Sequence, residues 1–141
     1  MSSLVELAHG IATKAHEGQV DKAGKPYIDH PVHVASRLET DEEKAVGLLH
    51  DVIEDTSITA DDLLKAGIPQ NVVDAIKAMT HPDHLDYFEY LKELKQNPLA
   101  VKVKIQDLLH NSDLSRIEKP TAKDFARLEK YKKALAFLTE K

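Results

Sequence analysis

The sequence contains no cysteine and no tryptophan, and only 5 of its 141 residues are glycine. Without cysteine, disulfides, thiolate metal sites and thiol nucleophiles are excluded, so any metal must be held by His, Asp or Glu. No apolar run reaches the ~20 residues needed to cross a bilayer. The segment from Met1 to Gly18 lacks the basic stretch and unbroken apolar run of an export signal. A cytoplasmic location with no membrane partner is therefore expected. Basic residues are not in excess either, 19 against 24 acidic, for a formal charge of −5. That field repels polyanions and argues against nonspecific nucleic-acid binding. A small phosphorylated substrate would need a cation and a few local Lys or Arg side chains to offset it. Strand alternation and internal repeats are also absent.

What is present is helical. The length suits one domain spanning residues 1–141. Ser3-Leu4-Val5-Glu6 has the form of a capping box, followed at helical spacing by Leu7, Ala8, Ile11, Ala12 and Ala15. Gly18, Gly24 and Pro26 then predict a polar loop over residues 17–29. Pro31 suits the first position of the next helix and puts His30 at its mouth. Thr40 and Glu43 form another box, which opens a helix expected to run through His50 and Asp51. Thr59 with Asp62, Pro69, Asn97-Pro98 and Thr121 mark further helix starts. The helix from Pro98, with Leu99, Val103, Ile105, Leu108, Leu109 and Leu114 around its circumference, should be buried on most sides. In the last helix Phe125, Leu128, Leu135 and Leu138 supply the apolar positions. The expected fold is an all-α, irregular helical bundle.

One stretch concentrates chemistry. In Leu48-Leu49-His50-Asp51-Val52-Ile53-Glu54-Asp55, a helical wheel gathers the apolar residues on one arc. His50, Asp51, Glu54 and Asp55 share the opposite arc, with Gly47 among them leaving room. An imidazole beside a carboxylate can hold a divalent cation, and carboxylates one turn on can handle a water it carries. A stable site wants about four to six donors including water, so further ligands must come from elsewhere. His30 and Asp107 are the best placed. His33 competes with His30, and Asp107 has an alternative partner in Lys104, three residues away.

Three blocks carry a resemblance to a known family: Ala15-His16-Glu17-Gly18-Gln19 with Gly24-Lys25-Pro26-Tyr27-Ile28-Asp29-His30-Pro31; Leu48 to Thr56; and Lys102 to Asp107 with His110-Asn111. Their order and content resemble the hydrolase domain of Rel/SpoT homologues, in particular the stand-alone small alarmone hydrolases of the HD-domain phosphohydrolase superfamily. The resemblance covers about residues 8–117. It implies that His30, His50, Asp51 and Asp107 bind one metal, usually manganese; by its chemistry a site of two His and two Asp also accepts iron or zinc. It implies that Glu54 and Asp55 position and deprotonate the attacking water. The implied reaction removes the 3′ pyrophosphate of guanosine tetra- or pentaphosphate. Lys22 matches a basic residue of the family's first loop, Asn111 a polar contact near the metal, and Arg127 with Tyr131 a nucleotide-contacting pair. Two positions depart from the family. Asp21 stands where an arginine associated with the guanine base is usual, and Leu108 where the long enzymes carry a basic residue. The length leaves no room for a synthetase domain, so hydrolysis would be the only activity. The alternatives are a broader HD-type nucleotide phosphohydrolase, which Asp21 favours, and a nucleotide-binding sensor without turnover, against which Glu54 and Asp55 speak.

Overall fold

A computed structural model describes residues 3–21, 24–113 and 119–139. Among them are nine helices: α1 (Ser3–Ala15), α2 (Asp29–Ser36), α3 (Asp41–Leu49), α4 (Val52–Asp55), α5 (Ala60–Ala66), α6 (Gln70–Met79), α7 (Tyr87–Leu94), α8 (Pro98–Asn111) and α9 (Ala122–Thr139). The described residues pair as β-structure only in one isolated antiparallel bridge, Val20 to Pro26. The all-α class is as expected. Lys22 and Leu114, both named above, lie outside the described residues.

Helix α3 is the centre, touching α1, α2, α6 and α8. Residues 45–50 are all buried, so on the arc opposite the apolar residues Gly47 and His50 face neighbouring helices, while Glu54 and Asp55 reach water. Gly47 permits this. A Cβ there would lie 3.0 Å from Leu38 Cδ1 and 3.3 Å from the Ala35 backbone, so the space the sequence suggested is occupied by α2. The helix starts at the expected box. Thr40 Oγ1 accepts from the Glu43 amide at 3.1 Å, and Glu43 Oε1 accepts from the amides of Glu39 and Thr40. Glu43 is itself buried. Burial alone would raise its pKa, but those amides and Lys102 outweigh it and lower the value. A lowered folded value means that Glu43 stabilises above the usual 4.5 and loses that contribution as pH falls through the folded value. Glu43→Ala should reduce unfolding free energy by about 1–2 kcal/mol in urea titrations at pH 7, and by less below pH 4. Lys102, whose side chain is 66% exposed, adds little to this.

Four sequence expectations change. The helix containing the His-Asp pair is not continuous: α3 ends at Leu49, His50 and Asp51 form a turn, and α4 restarts at Val52. Helix α8 is not buried on most sides: Ala100, Val103, Asp107 and Leu108 are buried, where α2, α3, α6 and α9 pack on it, while Leu109 is 49% exposed. On α9, Phe125 is 53% exposed and Ala134 with Leu138 form the buried contact. Pro31 is the third residue of α2, where a missing N–H still does no harm because first-turn amides have no helical partner.

Candidate metal centre

The turn at His50 and Asp51 builds the site. The His50 ring donates from Nδ1 to the Gly47 carbonyl at 2.6 Å, the acceptor that a continued helix would offer to the Asp51 amide. A carbonyl only accepts, so Nδ1 carries the proton and Nε2 is left as the free position. His50 Nε2 is buried and makes no well-aligned hydrogen bond. It lies 3.1 Å from Asp51 Oδ2 and 3.3 Å from Asp107 Oδ1. A lone pair aimed at two carboxylate oxygens is repulsive unless a proton or a cation stands between them.

His30 and Asp107 arrive from α2 and α8. His30 Nε2 lies 2.8 Å from Asp107 Oδ1 and 4.0 Å from Asp51 Oδ2. The His30 and His50 nitrogens and an Asp107 oxygen form one buried group, and Asp51 Oδ2 lies beside both histidines. Ligand bonds of about 2.0–2.2 Å place neighbouring donors roughly 3 Å apart, and the observed separations match that spacing. The donor set fits a divalent cation.

The protonation balance says the same. Burial alone would lower the His50 pKa, but Asp51 and Asp107 raise it well above the usual imidazole value. Burial would raise Asp107, but Lys104 and His50 hold it well below the carboxylate range. In the metal-free protein a proton thus takes the place of the cation. Its stabilising effect is complete below pH 6.5 and is lost as pH rises through the raised folded value. Cation binding must displace that proton, so affinity should rise with pH. Calorimetric titration with Mn²⁺ in two buffers of different ionisation enthalpy should show proton release on binding.

The competing readings resolve together. Asp107 uses Oδ1 for the histidines and Oδ2 for Lys104 at 3.1 Å. Lys104 is therefore not a solvated surface lysine: its side chain is 13% exposed. His33 is not in the buried donor group and stacks on His110 at 3.9 Å, and His110 in turn lies parallel to His30 with Nδ1 2.7 Å from His30 Nδ1. Asn111 Nδ2 donates to Asp107 Oδ1 at 3.0 Å. Arg127 is paired with Asp124 at 3.4 Å. Tyr131 has its pKa raised by burial and by Asp107, which puts its hydroxyl in the field of the site. Glu54 and Asp55 follow on α4. Burial and the Asp51 charge raise both carboxyls, and Asp55 raises Glu54 further. Asp21 turns inward on its own loop, with Oδ1 accepting from the Lys25 amide at 3.0 Å.

A profile of the HD domain family matches residues 8–138. The chain belongs to the HD domain family. The family implies a divalent metal, and His30, His50 and Asp107 are the buried group that could hold it. Over 116 residues the domain is 34% identical to guanosine-3′,5′-bis(diphosphate) 3′-pyrophosphohydrolase of Haemophilus influenzae, and over 119 residues 31% identical to the bifunctional (p)ppGpp synthase/hydrolase SpoT of Escherichia coli. These matches take in 72% and 74% of this chain but 17% of each relative. Among solved structures, a metazoan ortholog of SpoT that hydrolyses ppGpp and plays a role in starvation responses matches with a TM-score of 0.78 and 22% identity, over 98% of this chain and 86% of that one. That likeness shows the fold. Among the described residues of this HD domain, no helix is long and apolar enough to cross a membrane.

The sequence reading assigned no role to several groups that touch the donors. Tyr27 donates its hydroxyl to Asp51 Oδ2, His110 meets His30, and buried His16 packs on Tyr27 at 4.9 Å. All three stood inside the blocks that carried the resemblance. Nothing in helical periodicity marks them, because each acts across a gap in sequence.

Proposed function

We propose that this HD domain is a manganese-dependent hydrolase that removes the 3′ pyrophosphate of guanosine 3′,5′-bis(diphosphate) or pentaphosphate, with residues 1–141 acting as one catalytic unit in the cytoplasm. The observation that carries the reading is the convergence of His30 Nε2, His50 Nε2, Asp51 Oδ2 and Asp107 Oδ1 around one point. Nitrogen and oxygen donors in this mixture suit manganese, with iron or zinc as chemical competitors. When bound, the cation supplies positive charge for a phosphate oxygen and lowers the pKa of a water.

The protein's own groups do the rest. Glu54 and Asp55, with raised carboxyl pKa values, are better proton acceptors near neutrality than ordinary surface acids. In the proposed reaction water adds to the phosphorus next to the 3′ oxygen and one of its protons passes to this pair. The bond from phosphorus to the 3′ oxygen breaks, and that oxygen leaves with a proton, giving GDP or GTP and pyrophosphate. Lys104 keeps Asp107 ionised, and Asn111 holds it from the other side. Arg127 and Tyr131 on α9 supply a cation and a hydroxyl for the nucleotide. Lys22 adds a further positive charge in the first loop.

The test is a release assay with each of Mn²⁺, Fe²⁺ and Zn²⁺ across nucleotides carrying 3′ or 5′ phosphates. Pyrophosphate from the tetraphosphate with Mn²⁺ is the expected product. Single phosphates released from ordinary nucleotides would instead make the chain a broader nucleotide phosphohydrolase, the reading that Asp21 favours. Saturable binding without product over hours would make it a sensor.

A further inference from the structure

One hydroxyl ties the loop between α1 and α2 to the donor cluster. Tyr27 sits at the end of that loop, three residues before His30, and its amide donates to the Gln19 carbonyl at 2.8 Å. Its ring rests on His16, which is 2% exposed and meets Gln19 Oε1 through Nδ1 at 3.0 Å. The Gln19 amide reaches the Asp55 carbonyl at 3.5 Å. From this platform the Tyr27 hydroxyl donates to Asp51 Oδ2. That oxygen is also the one lying 3.1 Å from His50 Nε2 and 4.0 Å from His30 Nε2.

We propose that Tyr27 is a positioning residue that turns Asp51 Oδ2 toward the cation and thereby couples the order of the 17–29 loop to cation binding. The proposal rests on the reading of the four donors as cation ligands. A carboxylate rotates in a broad well about its last torsion, and Asp51 stands on a turn, not within a helix. A donor on one lone pair of Oδ2 selects a single orientation and leaves the other lone pair for the cation. The phenol can reach that position only while the loop is folded back through its contacts with Gln19 and His16. Whatever draws Asp51 into place therefore also favours the folded loop, and the coupling is reciprocal. Because Lys25 belongs to the same loop, its amide donating to Asp21 Oδ1, the cation would also help present it to an anionic ligand.

The experiment uses Tyr27→Phe, which keeps the ring on His16 and removes only the hydroxyl. Mn²⁺ affinity is measured by calorimetry without nucleotide, and amide hydrogen exchange at Gln19 to Tyr27 is followed with and without Mn²⁺. Loss of an outer partner of a metal ligand typically lowers affinity 10–100-fold, and that loss is expected here. In the wild-type chain Mn²⁺ should slow exchange of the Asp21 and Tyr27 amides, and in the variant this slowing should disappear. Affinity within threefold of wild type overturns the proposal. So does wild-type loop exchange that ignores Mn²⁺, a result that does not depend on the variant folding. A wild-type chain that binds no divalent cation overturns both this proposal and the cation reading. Failure to release pyrophosphate, with Mn²⁺ bound and the coupling intact, counts against the proposed reaction alone.

Discussion

Asp107→Ala is expected to lower unfolding free energy by roughly 3–5 kcal/mol and the melting temperature by roughly 10 °C or more. It should also abolish any stabilisation by Mn²⁺. Asp107 is 6% exposed and meets three groups at once: Lys104, His30 and His50. Burial by itself would lower the Lys104 pKa, and Asp107 is the first of the charges that reverse this and raise it. Removing the carboxylate leaves an ammonium with little access to water, which is why truncating one member of a buried pair costs far more than the pair contributes. Urea unfolding in chelator isolates the structural part. A Mn²⁺ series then isolates the ligand part: wild type gains about 2.7 kcal/mol at a hundredfold excess over the dissociation constant, and the variant gains nothing. A variant as stable as wild type in chelator would show that Lys104 does not depend on Asp107.

Glu54→Gln separates catalysis from binding in the opposite way. Turnover should fall by about 10²–10⁴, while stabilisation by Mn²⁺ should survive, since Glu54 is exposed and is not a member of the buried group of His30, His50 and Asp107. The pH profile carries a sign as well. As the proposed base, Glu54 would act only when ionised, so activity should be lost as pH falls through its raised value. Partial withdrawal of its carboxyl from water is the largest cause of that rise, and the Asp51 and Asp55 charges add to it. In Asp55→Asn one of those charges is gone, so the remaining acid limb should move to lower pH. An acid limb that stays in place or moves upward in Asp55→Asn would remove Glu54 from the role of base.

Those two results would divide the site into residues that hold charge and residues that move a proton, and the division follows from burial. His30, His50 and Asp107 are buried, with their donor atoms fixed by packing. Glu54 and Asp55 lie on a four-residue helix with exposed side chains, free to meet a substrate.

Local chemistry was legible in the sequence wherever its cause was local. The boxes at Thr40 and Thr59, the Asn97 cap before Pro98 and the stop at Gly67, with φ of 105°, are decided by residues within one turn and could be read directly. The residue types for a cation site were legible too, because His50 and Asp51 adjoin. What the sequence could not decide was which faces meet. At the break between α3 and α4 the His50 ring takes the Gly47 carbonyl, and Gly47 is buried with α2 lying across it. A helical wheel assumes an uninterrupted cylinder with one wet side, and α3 is enclosed by four neighbours. Tyr27 on Asp51, His110 on His30 and the turning of His33 onto His110 are likewise products of tertiary packing. Sequence determined which donors exist; packing determined that His30, His50 and Asp107 meet in one buried group with Asp51 beside the histidines, because only packing excludes the water that would otherwise satisfy each alone.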